Sequence, residues 1–204
     1  KNIFKIPEFF TKANVSKALK QKKAKLITSI SMFYDLPDPI KFVEDIYHCL
    51  DNNGLWHLEQ SYMPAMIKNI SYDTICHEHL EYYSLKSIKY ILDKVGFKII
   101  DIEFNEINGG SFALTAAKKN SIYIEDKKTV QWLLQKEETL HYNKLETHKD
   151  FYKKCLQQKL LLTNLLKNLK DMKKKVFGYG ASTKGNVILQ FCDIDRTLIP
   201  YIGE

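Results

Sequence analysis

His77, Glu78 and His79 stand in line inside Ser71–Leu85, a fifteen-residue stretch reading SYDTICHEHLEYYSL that also holds Tyr72, Tyr82 and Tyr83. An imidazole beside a carboxylate can work as a general base held by its neighbour, and nearby phenols can hydrogen-bond a substrate or a developing oxyanion. The same residues also fit a polar loop with surface histidines. Two imidazoles two apart on a strand would point the same way, which invites a metal reading as well. No other cluster of His, Cys and carboxylate in the sequence supplies a third ligand, so the expectation is acid–base chemistry with no metal.

Two other stretches carry chemistry of a less specific kind. Gly178-Tyr-Gly-Ala-Ser-Thr-Lys-Gly185 follows the strand-like Val176–Tyr179 and precedes a helical pattern from about Asn186 to Cys192. Backbone N–H groups can approach an anion there and Lys184 can add charge, although a tight strand-to-helix turn needs the same glycines. Ser31, Met32, Phe33, Tyr34 and Asp35 end or follow a strand read over Leu26–Phe33. The carboxyl edge of a parallel sheet is where such a fold meets its ligands.

The elements that must position these residues alternate. A helix over Glu8–Lys22 is followed by the Leu26–Phe33 strand, and Asp38 can cap a helix that starts at Pro39 and buries Phe42, Val43, Ile46, Tyr47 and Leu50. Asn52-Asn53-Gly54 is read as its stop, Leu55–Gln60 as a second strand, Ser84–Val95 as a helix ended by Gly96, and Phe97–Phe104 as a third strand. Asn108-Gly109-Gly110 turns the chain into a fourth strand, Ser111–Lys118, antiparallel to the third. From Ser111 to Phe177 there is no Gly or Pro, and the leucine spacing predicts one or two long helices between about Asp126 and Lys175. A single one would run about 70 Å at 1.5 Å per residue, so an antiparallel hairpin suits a compact protein. The fold class is therefore α/β: the later half of a sheet in residues 1–120, a helical connector in 121–175, and the start of a second α/β unit in 176–204.

Composition narrows the function classes. The chain has 204 residues, of which 45% are hydrophobic, and a formal charge of +7 spread over 27% charged residues of both signs. Its lysines do not interleave with aromatics as in a nucleic-acid surface, so no nucleic-acid partner is expected. No apolar run reaches the roughly 18 residues that span a bilayer, and Cys49, Cys76, Cys155 and Cys192 form no CxxC pair. A cytoplasmic protein with a small-molecule substrate is the expectation.

GLWHLEQSYMPAMIKNISYDTICHEHLEYYSL, followed by NGGSF and then GYGASTKGN, resembles the sugar C-methyltransferase family over nearly the whole chain. Those enzymes use S-adenosylmethionine and join an N-terminal zinc-binding domain, a class I methyltransferase domain and a C-terminal Rossmann-like domain. The resemblance implies that this chain begins midway through the central domain and ends just inside the last one. It would then lack the zinc-binding cysteines and the glycine-rich cofactor loop, and would not bind the cofactor normally alone.

By the same resemblance His79 matches the general base and Glu78 a substrate-binding or orienting carboxylate. Cys76, His77, Tyr82, Tyr83, Asn108 and Lys184 become substrate contacts, and Ser31, Met32, Phe33 and Tyr34 line the cofactor. Four positions depart from the sugar enzymes: Cys76 replaces tyrosine, Asp35 often histidine, Asn108 the histidine before GGS, and Ala113 the arginine after it. The implied function is C-methylation of a nucleotide-linked keto-sugar. Methylation of oxygen or nitrogen on another small molecule, or a non-catalytic helical assembly module, stays open, as do the acceptor, its regiochemistry and the oligomeric state.

Overall fold

The computed structural model describes residues 3–180 and 182–203, so Ala181, inside the glycine-rich loop, lies outside the described residues. In chain order the elements are α1 (Lys12–Ala18), β1 (Ala24–Ile30), α2 (Pro39–Cys49), β2 (Leu50–Ser61), α3 (Met63–Asn69), α4 (Leu85–Val95), β3 (Phe97–Asn105) and β4 (Ser111–Lys118). They continue with α5 (Lys127–Thr139), α6 (Leu145–Asp171), β5 (Phe177–Tyr179), α7 (Thr183–Phe191) and β6 (Tyr201–Gly203). Two compact units divide them: Lys1–Ala65 with Leu80–Leu140, and Met66–His79 with His141–Glu204.

The first unit is built on a four-stranded sheet of order β1-β2-β4-β3. β1 and β2 run parallel, and β4 enters antiparallel between β2 and β3. The crossover from β1 to β2 is α2, which starts as its sequence dictates: Asp38 accepts the Lys41 N–H at 3.0 Å and Pro39 opens the first turn. The crossover helix α4 is capped by Ser84 and closed by Gly96, and it buries Leu85, Ile88, Ile91 and Leu92 at helical spacing. These helices cover the sheet face that carries Ile27, Trp56, Leu58 and Leu114. Trp56 is fully buried, and its indole N–H donates to Ser29 Oγ at 2.8 Å, so the largest core side chain leaves no orphan donor.

Asn52-Asn53-Gly54 does not stop α2. The helix ends at Cys49 and β2 begins at once, running from Leu50 through all three residues, with an irregular register opposite Ala24–Leu26. The asparagines serve a neighbouring segment instead: Asn53 Oδ1 accepts the Ile122 N–H at 3.1 Å and its carbonyl accepts the Tyr123 hydroxyl. Gly54 is required for close approach, because a Cβ there would stand 2.8 Å from Leu50 Cγ and 2.9 Å from the Ala24 carbonyl oxygen. Gly54→Ala is expected to lower the unfolding free energy by about 1–3 kcal/mol, measured by urea titration of the complete protein.

Other boundaries moved for similar local reasons. α1 is shorter than Glu8–Lys22, because Thr11 caps it through the Asn14 N–H and Lys20 and Gln21 take left-handed conformations. The long lysine- and leucine-rich stretch is broken into α5 and α6 at residues 140–144, where His141 has φ 55°.

The second unit contains α6, α7 and a parallel pair, β5 with β6. The sequence led only to its first strand and helix; Tyr201–Gly203 completes a β-α-β unit. Residues 66–79 belong to this unit although the flanking chain on both sides belongs to the other.

Candidate active site

Parallel β1 and β2 end side by side. The Ser31 N–H donates to the Glu59 carbonyl at 2.8 Å, and the chain turns sharply as Ser31 takes φ 51° into a short 3₁₀ turn, Phe33–Asp35. Ser31 is exposed and Met32 half-buried, while Phe33 and Tyr34 are buried. Phe33 packs its ring against Trp56 at 5.9 Å and Tyr83 at 5.2 Å. Its ring is thus part of the core, and the surface at this edge is made by Ser31, Met32 and backbone.

Three more segments meet the same edge. The Tyr34 carbonyl accepts the N–H groups of Leu80 at 3.0 Å and Glu81 at 3.1 Å, and Met63 donates to the Tyr83 carbonyl at 2.9 Å. The Asn108 turn arrives beside the end of β2, with Tyr62 N–H bonded to the Gly110 carbonyl at 3.0 Å. That turn is three consecutive left-handed residues, Asn108, Gly109 and Gly110, held by Asn105 Oδ1 on the Ile107 N–H and by the Ser111 hydroxyl on the Ile107 carbonyl. Asn108 is exposed and Tyr82 half-buried. Within this unit Ser31–Tyr34, Tyr82, Tyr83 and Asn108 therefore gather at one end of the sheet.

Burial, with a smaller contribution from Glu81, pushes the Tyr83 phenol well above its ordinary range, so it stays protonated at physiological pH. Its hydroxyl and both polar atoms of Gln60 are buried without a hydrogen-bond partner among the described residues. Such unspent capacity at the carboxyl edge suits a ligand that brings its own polar groups.

The sequence offered no sign of the group that organises this edge from behind. Glu137, buried on α5, accepts the Leu85 N–H at 2.7 Å, the Lys86 N–H at 3.0 Å and the Tyr62 hydroxyl at 2.7 Å. One carboxylate thus satisfies two orphan donors at the start of α4 and fixes the residue that follows β2. Fifty-two residues separate Glu137 from Leu85, and helical periodicity alone marks Glu137 only as a polar residue on α5.

His79 lies in the second unit, on the stretch Met66–His79. After α3 ends at Asn69 the stretch is a loop, with a 3₁₀ turn at Tyr72–Thr74 and no strand, so His77 and His79 do not share a strand face. His79 Nδ1 lies 2.7 Å from the Thr74 carbonyl oxygen, a contact that requires the nitrogen to carry hydrogen and donate. The neutral ring then bears its lone pair on Nε2. The His79 N–H also returns to the Cys76 carbonyl at 3.2 Å. His77 and Glu78 are exposed and Cys76 half-buried, so a backbone carbonyl, and not Glu78, holds Nδ1. Among the described residues no group of three or more His, Cys, Asp or Glu side chains is assembled to hold a metal ion.

The glycine-rich stretch Gly178–Gly185 takes in the end of β5 and the first turn of α7. Ser182 caps the helix through the Gly185 N–H, Gly180 has φ 113°, and a Cβ at Gly178 would stand 2.9 Å from Ile202 Cγ1. Lys184 is half-buried in the first turn of α7.

The half-sheet with its two crossover helices and antiparallel closing pair fits the α/β fold class read from the sequence. Comparison with known proteins agrees: residues 4–102 match the family described as methyltransferase domain, and residues 106–204 match the C-methyltransferase C-terminal domain. Together the two matches run along nearly the whole chain, and each covers just under half of it. The chain is 27% identical over 201 residues to the C-methyltransferase NovU of Streptomyces niveus, covering 98% of this chain and 47% of that protein. The chain thus spans about half the length of the curated relative it matches. Partial likeness extends to SAM-dependent methyltransferases from Methanosarcina mazei (TM-score 0.37, 14% identity, 46% of this chain and 58% of that one) and Aquifex aeolicus (TM-score 0.34, 17% identity, 46% and 45%), too slight to carry an assignment. No helix among the described residues is long and apolar enough to cross a membrane.

Proposed function

We propose that the protein carrying this chain is an S-adenosylmethionine-dependent methyltransferase that adds a methyl group to carbon next to a carbonyl, on a nucleotide-linked keto-sugar, with His79 as general base. The observation that carries this reading is the Nδ1 contact with Thr74, which fixes the ring in the tautomer whose Nε2 accepts a proton. Nε2 takes the proton from the acidic carbon, and the electron pair left behind delocalises onto the carbonyl oxygen. Tyr82, Tyr83 and Asn108 are the donors assigned to that oxygen or to the substrate's hydroxyls, Cys76 and His77 are assigned to substrate contacts, and Lys184 to the anionic part of the acceptor. Glu78, exposed, is assigned to substrate rather than to orienting His79.

S-adenosylmethionine, when bound, supplies an electrophilic methyl that the carbanion takes as a C–C bond forms and the S–CH₃ bond breaks. Ser31 and Met32 would stand against it, with Phe33 and Tyr34 supporting the turn from the core, and the unspent Gln60 and Tyr83 groups fit a polar ligand at this edge. We assign residues 1–120 to the catalytic domain, 121–175 to a helical connector and 176–204 to a Rossmann-like unit, in a cytoplasmic protein whose four cysteines are free. The test is mass spectrometry of the complete protein with methyl-labelled S-adenosylmethionine and a panel of nucleotide-linked keto-sugars. One labelled methyl on carbon is the expected product; a labelled methyl on oxygen or nitrogen would overturn the C-methylation reading.

A further inference from the structure

The segment that carries His79 is held by the far end of a helix more than a hundred residues later. The Tyr72 ring packs on the Phe191 ring of α7 with centroids 4.9 Å apart, and its hydroxyl lies 3.5 Å from Cys192 Sγ. Cys192 is fully buried, so the contact is internal to the unit. Burial, then the bond with Cys192, pushes the Tyr72 phenol well above its ordinary range, and it remains a neutral phenol in the apolar contact. Phe191 has a second contact: Lys159 of α6 stands 5.5 Å from the ring centre and pairs with Asp193 at 2.5 Å.

From Tyr72 the path to the imidazole is short. Tyr72 opens the 3₁₀ turn whose last residue, Thr74, is buried and ties its own hydroxyl to the Ser71 carbonyl at 2.8 Å. The Thr74 carbonyl is the acceptor for His79 Nδ1. Rotating or releasing the turn would therefore move the carbonyl that accepts from Nδ1 of the ring. Exposed Ile75, His77 and Glu78 offer little packing of their own to hold the loop in place.

We infer that Tyr72 is a positioning residue, and that α7 of the C-terminal unit, through Phe191 and Cys192, holds the His79 loop in its working conformation. Phe191 and Cys192 then act on the chemistry without supplying a reacting group themselves. This inference rests on the reading of His79 as the base.

The test is a double-mutant cycle in the complete protein: Tyr72→Leu, Phe191→Leu and both together, with Tyr72→Phe as the conservative variant. Amide exchange of the peptide covering residues 71–79 is read by mass spectrometry, and exchange in β2 reports whether the first unit is intact. Each leucine variant is expected to exchange about tenfold faster in 71–79 with β2 unchanged, and the double variant no faster than the singles combined would suggest for one shared contact. Tyr72→Phe is expected to stay within about threefold of the parent, because the ring contact survives. Methyl transfer from labelled S-adenosylmethionine should fall about tenfold in Phe191→Leu, a residue that touches no substrate. Unchanged exchange in either single variant, or effects that add fully in the double, would overturn the anchor. If His79→Asn leaves turnover intact, the base reading fails, and the exchange measurement still decides the anchor.

Discussion

His79→Asn in the complete protein is expected to lower kcat for methyl transfer by about 10²–10⁴, the usual contribution of a positioned general base. Asparagine can still donate to the Thr74 carbonyl from its amide, so the loop keeps an anchor while the basic nitrogen is lost. KM for S-adenosylmethionine should change little, because His79 is assigned to the acceptor and not to the methyl donor. The contrast is Glu78→Gln: Glu78 is exposed and does not hold the imidazole, so its loss should weaken acceptor binding more than turnover. Steady-state kinetics of the two variants side by side checks both statements. A collapse of kcat in Glu78→Gln with His79→Asn near parental would reverse the assignment of the two residues.

The second large effect concerns stability. Glu137→Ala removes the acceptor of the Leu85 and Lys86 N–H groups and of the Tyr62 hydroxyl at once. Orphaned buried donors cost about 1–3 kcal/mol each, so a loss of about 3–5 kcal/mol is expected in urea unfolding. Glu137→Gln keeps one carbonyl oxygen but turns an amide N–H₂ toward the remaining donors, and should recover about half of that. Because Tyr62 and the start of α4 border the loop that runs through Tyr83, the alanine variant should also lose cofactor and acceptor binding before it unfolds. If Glu137→Ala melted like the parent, the capping role would be wrong.

Much of the first unit could be read in the sequence because its signals are local. Asp38-Pro39 fixes the start of α2, Ser84 and Gly96 bracket α4, and Asn108-Gly109-Gly110 dictates the β3–β4 turn through its backbone conformations. Asn52-Asn53-Gly54 misled because its residue types favour turns, while the close approach of Leu50 and Ala24 to Gly54 is a tertiary demand that no local pattern displays. The candidate site is drawn from residue type, the density of His, Glu and Tyr in 71–85, and strand periodicity suggested a geometry for His77 and His79 that the loop does not have. What holds the site was not legible. Thr74 acts through its carbonyl, which carries no trace in residue type. Glu137 acts over fifty-two residues, and Tyr72 meets Cys192 over a hundred and twenty.

The most direct test of the central claim isolates proton removal from methyl transfer. The complete protein is incubated in D₂O with the acceptor identified by the labelling experiment and with S-adenosylhomocysteine in place of the methyl donor, and deuterium at the acceptor carbon is followed by NMR. Enzyme-dependent deuterium incorporation is expected at the carbon that is methylated, abolished in His79→Asn. Incorporation at the same rate in His79→Asn would mean that another group removes the proton, and would contradict the role given to His79.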